Sequence, residues 1–170
     1  MAKTKETGKY IGFLALLLAV AAIVMIFLPA IVYKTSENAD AVTYTGIQVT
    51  FGFKETQASV GNLKYETEWF KFSFMNFLPY ILLIVGVALT LLKMLGIFKS
   101  KLFTLITAAC FIAGGILLFF CVDFSIVGTE QITDLPLLNK DYMSLGVGVI
   151  IGAILAILAG ICKVGDLLLS

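Results

Sequence analysis

Few residues in this chain can do chemistry. It contains no histidine, and all 12 basic residues are lysine. Imidazole base catalysis, imidazole metal ligation and bidentate guanidinium clamping of phosphate or carboxylate therefore lack the side chains that perform them. The pair with most chemical promise is Glu66 and Glu68, in the run Tyr65-Glu66-Thr67-Glu68-Trp69. Alternation along a strand places both carboxylates on one face, where they can share a proton or hold a cation weakly, although an exposed strand more commonly uses such charges to discourage edge aggregation. Catalysis is accordingly the least favoured reading, and no catalytic, metal-ligating or cofactor-binding residue is assigned. Cys110, Cys121 and Cys162 read as small buried hydrophobes. Cys121 and Cys162 are expected at opposite ends of the fold, far beyond the ~7 Å Cα separation that a disulfide spans. A net charge of +1 without a basic cluster gives no footprint for nucleic acid.

The elements that position these residues are dominated by apolar runs. With 60% hydrophobic and 14% charged residues, and a mean hydropathy of +1.03, the chain carries more apolar surface than a soluble domain of its 170 residues can bury. The expectation is a single integral membrane domain over 1–170, with spans at about 10–33, 72–92, 102–122 and 142–162. Outer loops cover 34–71 and 123–141, and a short basic link runs from Lys93 to Lys101. Tyr10 to Tyr33 is free of charge and, at ~1.5 Å per residue, long enough to cross a ~30 Å hydrocarbon core. It is too long for the apolar region of a signal peptide, so it is read as a retained anchor. Pro29 and Pro79 fall at similar depth and are expected to kink the first two spans. No Asp, Glu or Lys lies within the four expected spans, which counts against coupled transport. Helix packing is assigned to small residues. Gly148, Gly152, Ala156 and Gly160 recur every fourth position and should lie against the first or third span, while Ala109 and Ala113 offer a second small-residue surface.

The first outer loop reads as strand. Ile47, Val49, Phe51 and Phe53 alternate with polar or small residues, as do Leu63, Tyr65, Thr67 and Trp69, and the turn-rich segment Lys54 to Asn62 separates the two arms. A hairpin follows, to which Phe124 to Val127 can add an edge strand. The fold class is thus an all-α membrane protein, a four-transmembrane-helix bundle with a small extracellular β-hairpin or sheet cap. Phe51, Phe53, Tyr65, Glu66, Glu68 and Trp69 form its expected outer interaction surface. Lys3, Lys5, Lys9, Lys93, Lys99, Lys101 and Lys163 gather in the termini and the short link, whereas acids outnumber lysines in the two long loops. The positive-inside rule then puts both termini in the cytoplasm of a plasma-membrane protein. Lysine used to the exclusion of arginine suits an AT-rich bacterial genome.

In architecture the chain resembles claudins and related tetraspan proteins, which have cytoplasmic ends, a long strand-forming first outer loop and a shorter second one. The claudin signature in that loop pairs Trp and Gly-Leu-Trp with two cysteines, and here the loop holds Trp69 and no cysteine. The resemblance therefore implies a layout and no activity. The leading functional expectation is a non-catalytic membrane protein, of subunit, accessory or immunity type, that works by protein–protein contact in the membrane as a partner of another membrane protein or of its own copies. An oligomeric channel or passive transport component is the alternative. A membrane-embedded enzyme using the outer carboxylates comes third.

Overall fold

The computed structural model describes residues 2–36, 39–60, 63–97, 100–129 and 136–169. The first apolar run forms helix α1 (Ala2–Val24), which stops well short of Tyr33. The chain tightens into a 3-10 turn at Met25–Phe27, and Pro29, which has no N–H to continue a helix, opens strand β1 (Pro29–Tyr33). Pro29 thus terminates the first helix and does not kink it. Strand β2 (Val42–Thr45) returns antiparallel to β1, pairing Tyr33 with Val42 and Ile31 with Tyr44.

The next segment corrects the strand expected over Ile47 to Phe53, because Gly46–Phe51 is a short helix, α2. Thr45 and Gln48 form a capping box, in which Thr45 N donates to Gln48 Oε1 (2.8 Å) and Gln48 N donates to Thr45 Oγ1 (3.4 Å). The buried positions Gly46, Val49 and Thr50 have the three- and four-residue spacing of a helix face. Gly52 then turns the chain at φ 91°, in the left-handed region that favours glycine. The residues expected to form a turn are mostly strand: β3 (Phe53–Val60) pairs antiparallel with β4 (Leu63–Lys71), and Phe53 begins the first arm.

Ser73 caps α3 (Phe74–Met94), accepting from Asn76 N at 3.3 Å and donating to Phe124 O at 2.6 Å. Pro79 lies inside α3. Ser100 caps α4 (Lys101–Leu118), which is followed by the single turn α5 (Cys121–Phe124) and strand β5 (Ile126–Val127). A 3-10 turn at Lys140–Tyr142 leads into β6 (Met143–Leu145) and the last helix, α6 (Val147–Leu169). The fourth apolar segment therefore starts later and ends later than 142–162. Four helical segments, Tyr10–Phe27, Phe74–Met94, Lys101–Leu118 and Val147–Leu168, are long and apolar enough to cross a membrane.

Among the described residues, all the strands lie at one end of the bundle, in two three-stranded antiparallel sheets of order β2-β1-β6 and β3-β4-β5. Each sheet joins the first long loop to the second. In one, β1 pairs with β6 through Ile31↔Leu145, Val32↔Ser144 and Tyr33↔Met143; in the other, β4 pairs with β5 through Phe70↔Val127 and Lys71↔Ile126. The Tyr44 ring stacks edge-on against Phe70 (centroids 4.8 Å) and Phe53 (6.3 Å), locking one sheet to the other over the buried Phe70.

In the bundle, α6 packs between α1 and α4, and α3 completes the ring beside α4 and α1. The small-residue ladder of α6 serves two neighbours. A step of four residues on a helix of 3.6 residues per turn advances the side chain by ~40°, so Gly148 to Gly160 sweeps ~120° around the axis. A β-carbon at Gly148 would lie 2.7 Å from Leu28 Cβ, and one at Gly152 would lie 3.3 Å from Met25 Cβ, both at the end of α1. Ala156 instead faces α4, 3.1 Å from the position of a β-carbon at Gly115, and Gly160 abuts Ala108 and Ile112. On α4 the packing face is Thr104, Thr107, Ala108, Phe111, Gly114, Gly115 and Leu118. Ala109 and Ala113 are exposed, so the expected second small-residue surface lies one residue away from the true one. Phe111, fully buried, seats its ring in the notch of Gly86 on α3, and Gly114 lies against Pro79 O and Leu83.

Candidate functional site

The outer residues singled out from sequence do not converge on one site. Phe51 ends α2 and is exposed, with its ring 5.3 Å from Phe77 and 6.3 Å from Phe72. Phe53 turns inward onto Tyr44. The side chain of Tyr65 lies outside the described residues. Glu66 is exposed, whereas Glu68 pairs across the strands with Lys54 at 3.6 Å, so the two carboxylates are not left to share a proton. Trp69 donates its Nε1 hydrogen to Glu55 Oε2 at 3.2 Å. Burial, reinforced by the Glu55 carboxylate, holds the Tyr44 phenol above its ordinary pKa and so neutral. This is a tied-down protein surface. Among the described residues no three Cys, Asp or Glu side chains gather as metal ligands.

The concentrated chemistry lies at the other end of the bundle, within the apolar stretch of α6. Lys163 is 1% exposed and Asp166 6%. Asp166 Oδ2 accepts from Lys93 Nζ of α3 at 2.8 Å and lies 3.7 Å from Lys163 Nζ. Among the described residues, two ammonium groups thus share one carboxylate. Helix α1 closes over them with glycines: a β-carbon at Gly8 would stand 3.5 Å from Asp166 Oδ1, and one at Gly12 would stand 3.6 Å from Lys163 Nζ. Both distances are ordinary van der Waals separations, so α1 lies in contact with the charged side chains without a clash that glycine alone relieves.

The geometry follows from spacing. On α6 the buried positions Val149, Ala153, Ala156, Gly160 and Lys163 alternate steps of four and three, and on α1 Gly8, Gly12, Ala15, Ala19 and Ala22 do the same. That spacing keeps one face of each helix turned to its neighbour. Continued past Cys162, it carries Lys163 into the interior, and Asp166, three residues further on, lies on the same side of the helix. The expectation of spans without ionisable groups is therefore corrected: taking the first charge after a long apolar run as the start of a tail removed these residues from the helix. A charge is kept in apolar surroundings only at a cost, which makes this cluster the candidate functional site.

Hydroxyl groups populate the facing interior. Thr90 Oγ1 donates to Gly86 O at 2.9 Å and Thr107 Oγ1 to Phe103 O at 2.7 Å, returning their hydrogen bonds to their own helices. Thr104 Oγ1 is buried and finds no hydrogen-bond partner among the described residues, as is Asn76 Nδ2 near the start of α3. Thr104 stands one turn from Ala108, the contact of Gly160, and Lys163 stands one turn from Gly160 toward the same end. Hydroxyl and charge cluster thus occupy the same level of the bundle.

No protein-family model matches this chain, and no curated protein matches its sequence.

Proposed function

We propose that the chain is an integral membrane protein of the plasma membrane, with both termini in the cytoplasm and the two sheets outside. In this reading it acts without catalysis, by presenting its sheet cap to another membrane protein or to a second copy of itself. The observation that carries the reading is the contrast between a filled bundle and a braced cap. Phe111 fills the notch at Gly86, and the glycine and alanine contacts of α4 with α6 bring their backbones into van der Waals contact, so these two seams of the bundle are closely packed. The cap, by contrast, is cross-tied between the two long loops in both sheets and stacked through Tyr44, which suits a rigid platform for recognition. Orientation is supported by Lys3, Lys5, Lys9, Lys99 and Lys101, which precede the apolar part of α1 or lie in and beside the short link between α3 and α4.

Photo-crosslinking in cells tests this reading. A benzophenone amino acid at the exposed Glu66 or Lys54 is expected to yield a discrete protein adduct, and one at the lipid-directed Ile84 or Ile106 is not. Selective ion flux in liposomes, together with no adduct from either cap position, would replace this reading with the oligomeric channel.

A further inference from the structure

At the end of the bundle opposite the sheets, polar side chains from three helices are directed at the bundle axis. Their directions follow from helix geometry, at ~100° per residue. Thr104 of α4 lies ~20° to one side of Phe111, which seats against α3, and ~40° to the other side of Ala108, which meets α6. Lys163 of α6 lies ~20° from Gly152, which abuts α1, and ~20° on the other side from Ala156, which abuts α4. Each therefore projects between two neighbouring helices, into the space that the four enclose. Lys93 joins them from α3. Because α3 and α6 stand diagonally in the ring, its 2.8 Å bond to Asp166 Oδ2 crosses the axis.

This place has more donors than acceptors. Lys163 Nζ stands 3.7 Å from the same carboxylate, outside hydrogen-bond range, and its residue is 1% exposed. Thr104 Oγ1 is buried with no hydrogen-bond partner among the described residues, a condition that is costly unless a water or a ligand atom meets the hydroxyl. Lys93, Lys163 and Asp166 together leave one positive charge, which a cation would aggravate and an anion would balance. The Lys93 side chain is 24% exposed, so the cluster has an edge that can be reached from outside the bundle.

We propose that this end of the bundle axis binds one phosphate group, with Lys93, Lys163 and the Thr104 hydroxyl as its donors. Charge fits, since one dihydrogen phosphate or one phosphodiester neutralises the three charged side chains. Shape fits as well, because donors arriving from three helices can each take a different oxygen of a tetrahedral ion. Lysine meets phosphate as a point charge, and basic pockets between membrane helices take lipid headgroups in this way. Free phosphate and an anionic lipid headgroup offer the same group to the site. The inference is independent of what the sheet cap contacts.

Two binding measurements on the full chain in neutral detergent test it. In one, sodium phosphate is titrated calorimetrically against sodium chloride of equal ionic strength; in the other, native mass spectrometry counts phosphatidylglycerol molecules retained per chain. Saturable binding of one phosphate group in either arm is expected, and the arm in which it occurs identifies the source. Lys93→Met leaves Lys163 balanced by Asp166 and should weaken that binding by about tenfold or more. Thr104→Val keeps the side-chain shape and should weaken it by ~3–10-fold, while the unliganded chain melts no lower than the parent, because an unpaired hydroxyl has left the interior. Lys101→Met, an exposed lysine at the same end, should bind as the parent does. Absence of saturable binding in both arms overturns the proposal. So does a loss for Lys101→Met equal to that for Lys93→Met, which would mean diffuse attraction to lysines, or parent affinity in Thr104→Val, which would place the phosphate away from the axis.

Discussion

Gly86 and Gly165 separate two uses of glycine in one fold. A β-carbon at Gly86 would fall on the ring of Phe111, whereas one at Gly165 would meet nothing within 4 Å. Gly86→Ala is therefore expected to destabilise the protein by ~1–3 kcal/mol through overpacking, with part of the loss recovered when Phe111→Leu is added. Gly165→Ala should be neutral or stabilise by up to ~1 kcal/mol, because alanine is the better helix former. Thermal unfolding in one detergent ranks these variants, and equal melting temperatures for Gly86→Ala and Gly165→Ala would contradict the packing described here. The charged residues make a second case. Asp166→Ala strands two ammonium groups and should cost ~3–5 kcal/mol, while the apolar triple variant Lys93→Met, Lys163→Met, Asp166→Leu should return close to the parent stability, since a fully apolar replacement removes the desolvation cost along with the attraction. Unfolding of the triple variant as low as that of Asp166→Ala would mean that the side-chain shapes, and not their charges, matter at this site.

At the scale of elements, α2 rests on a small number of local bonds. Thr45→Ala removes the capping box and should cost ~1 kcal/mol, and Gly52→Ala should cost at least as much, because it combines a left-handed φ of 91° with a β-carbon 3.0 Å from Phe70 O. Hydrogen exchange over residues 46–51 reads both directly: faster exchange there with slow exchange in β4 is the expected pattern. The same helix shows where sequence reading stops. The four apolar runs were plain in the sequence, because length and uniform hydropathy need no tertiary context, and so was the arm Leu63 to Trp69. Ile47 to Phe53 alternated as a strand does, yet Thr45 and Gln48 carried a capping signature three residues apart that fits only a helix start. Pro29 and the ends of the spans were lost for another reason: a hydropathy run reports where the chain is free of charge, and β1 prolongs the uncharged run of the helix before it. The charge cluster left its trace in the alternating steps of four and three ending at Lys163, a trace visible only when periodicity is followed through a lysine. Its partner Lys93 had no such trace, for nothing local ties residue 93 to residue 166.

For the whole molecule, the proposed orientation makes a labelling prediction. With a membrane-impermeant maleimide on intact cells, single cysteines at the exposed Lys54 and Lys140 should react, while those at Lys101 and Leu168 should react only after permeabilisation. Reaction at position 101 in intact cells would invert the topology. The interleaving of the two long loops also has a temporal side. Neither sheet can be completed by the first half of the chain, since β4 awaits Ile126–Val127 and β1 awaits Met143–Leu145. On a ribosome adding ~5–20 residues per second, β1 and β4 therefore spend several seconds with an unpaired edge before their last partners are made. Through that interval the nascent loop is a template for any other strand nearby. Biogenesis should accordingly be the stage most sensitive to chaperones and to truncation: a chain cut after α3 would leave both edges open permanently, and quality control would meet it as an aggregation-prone fragment and not as half a protein.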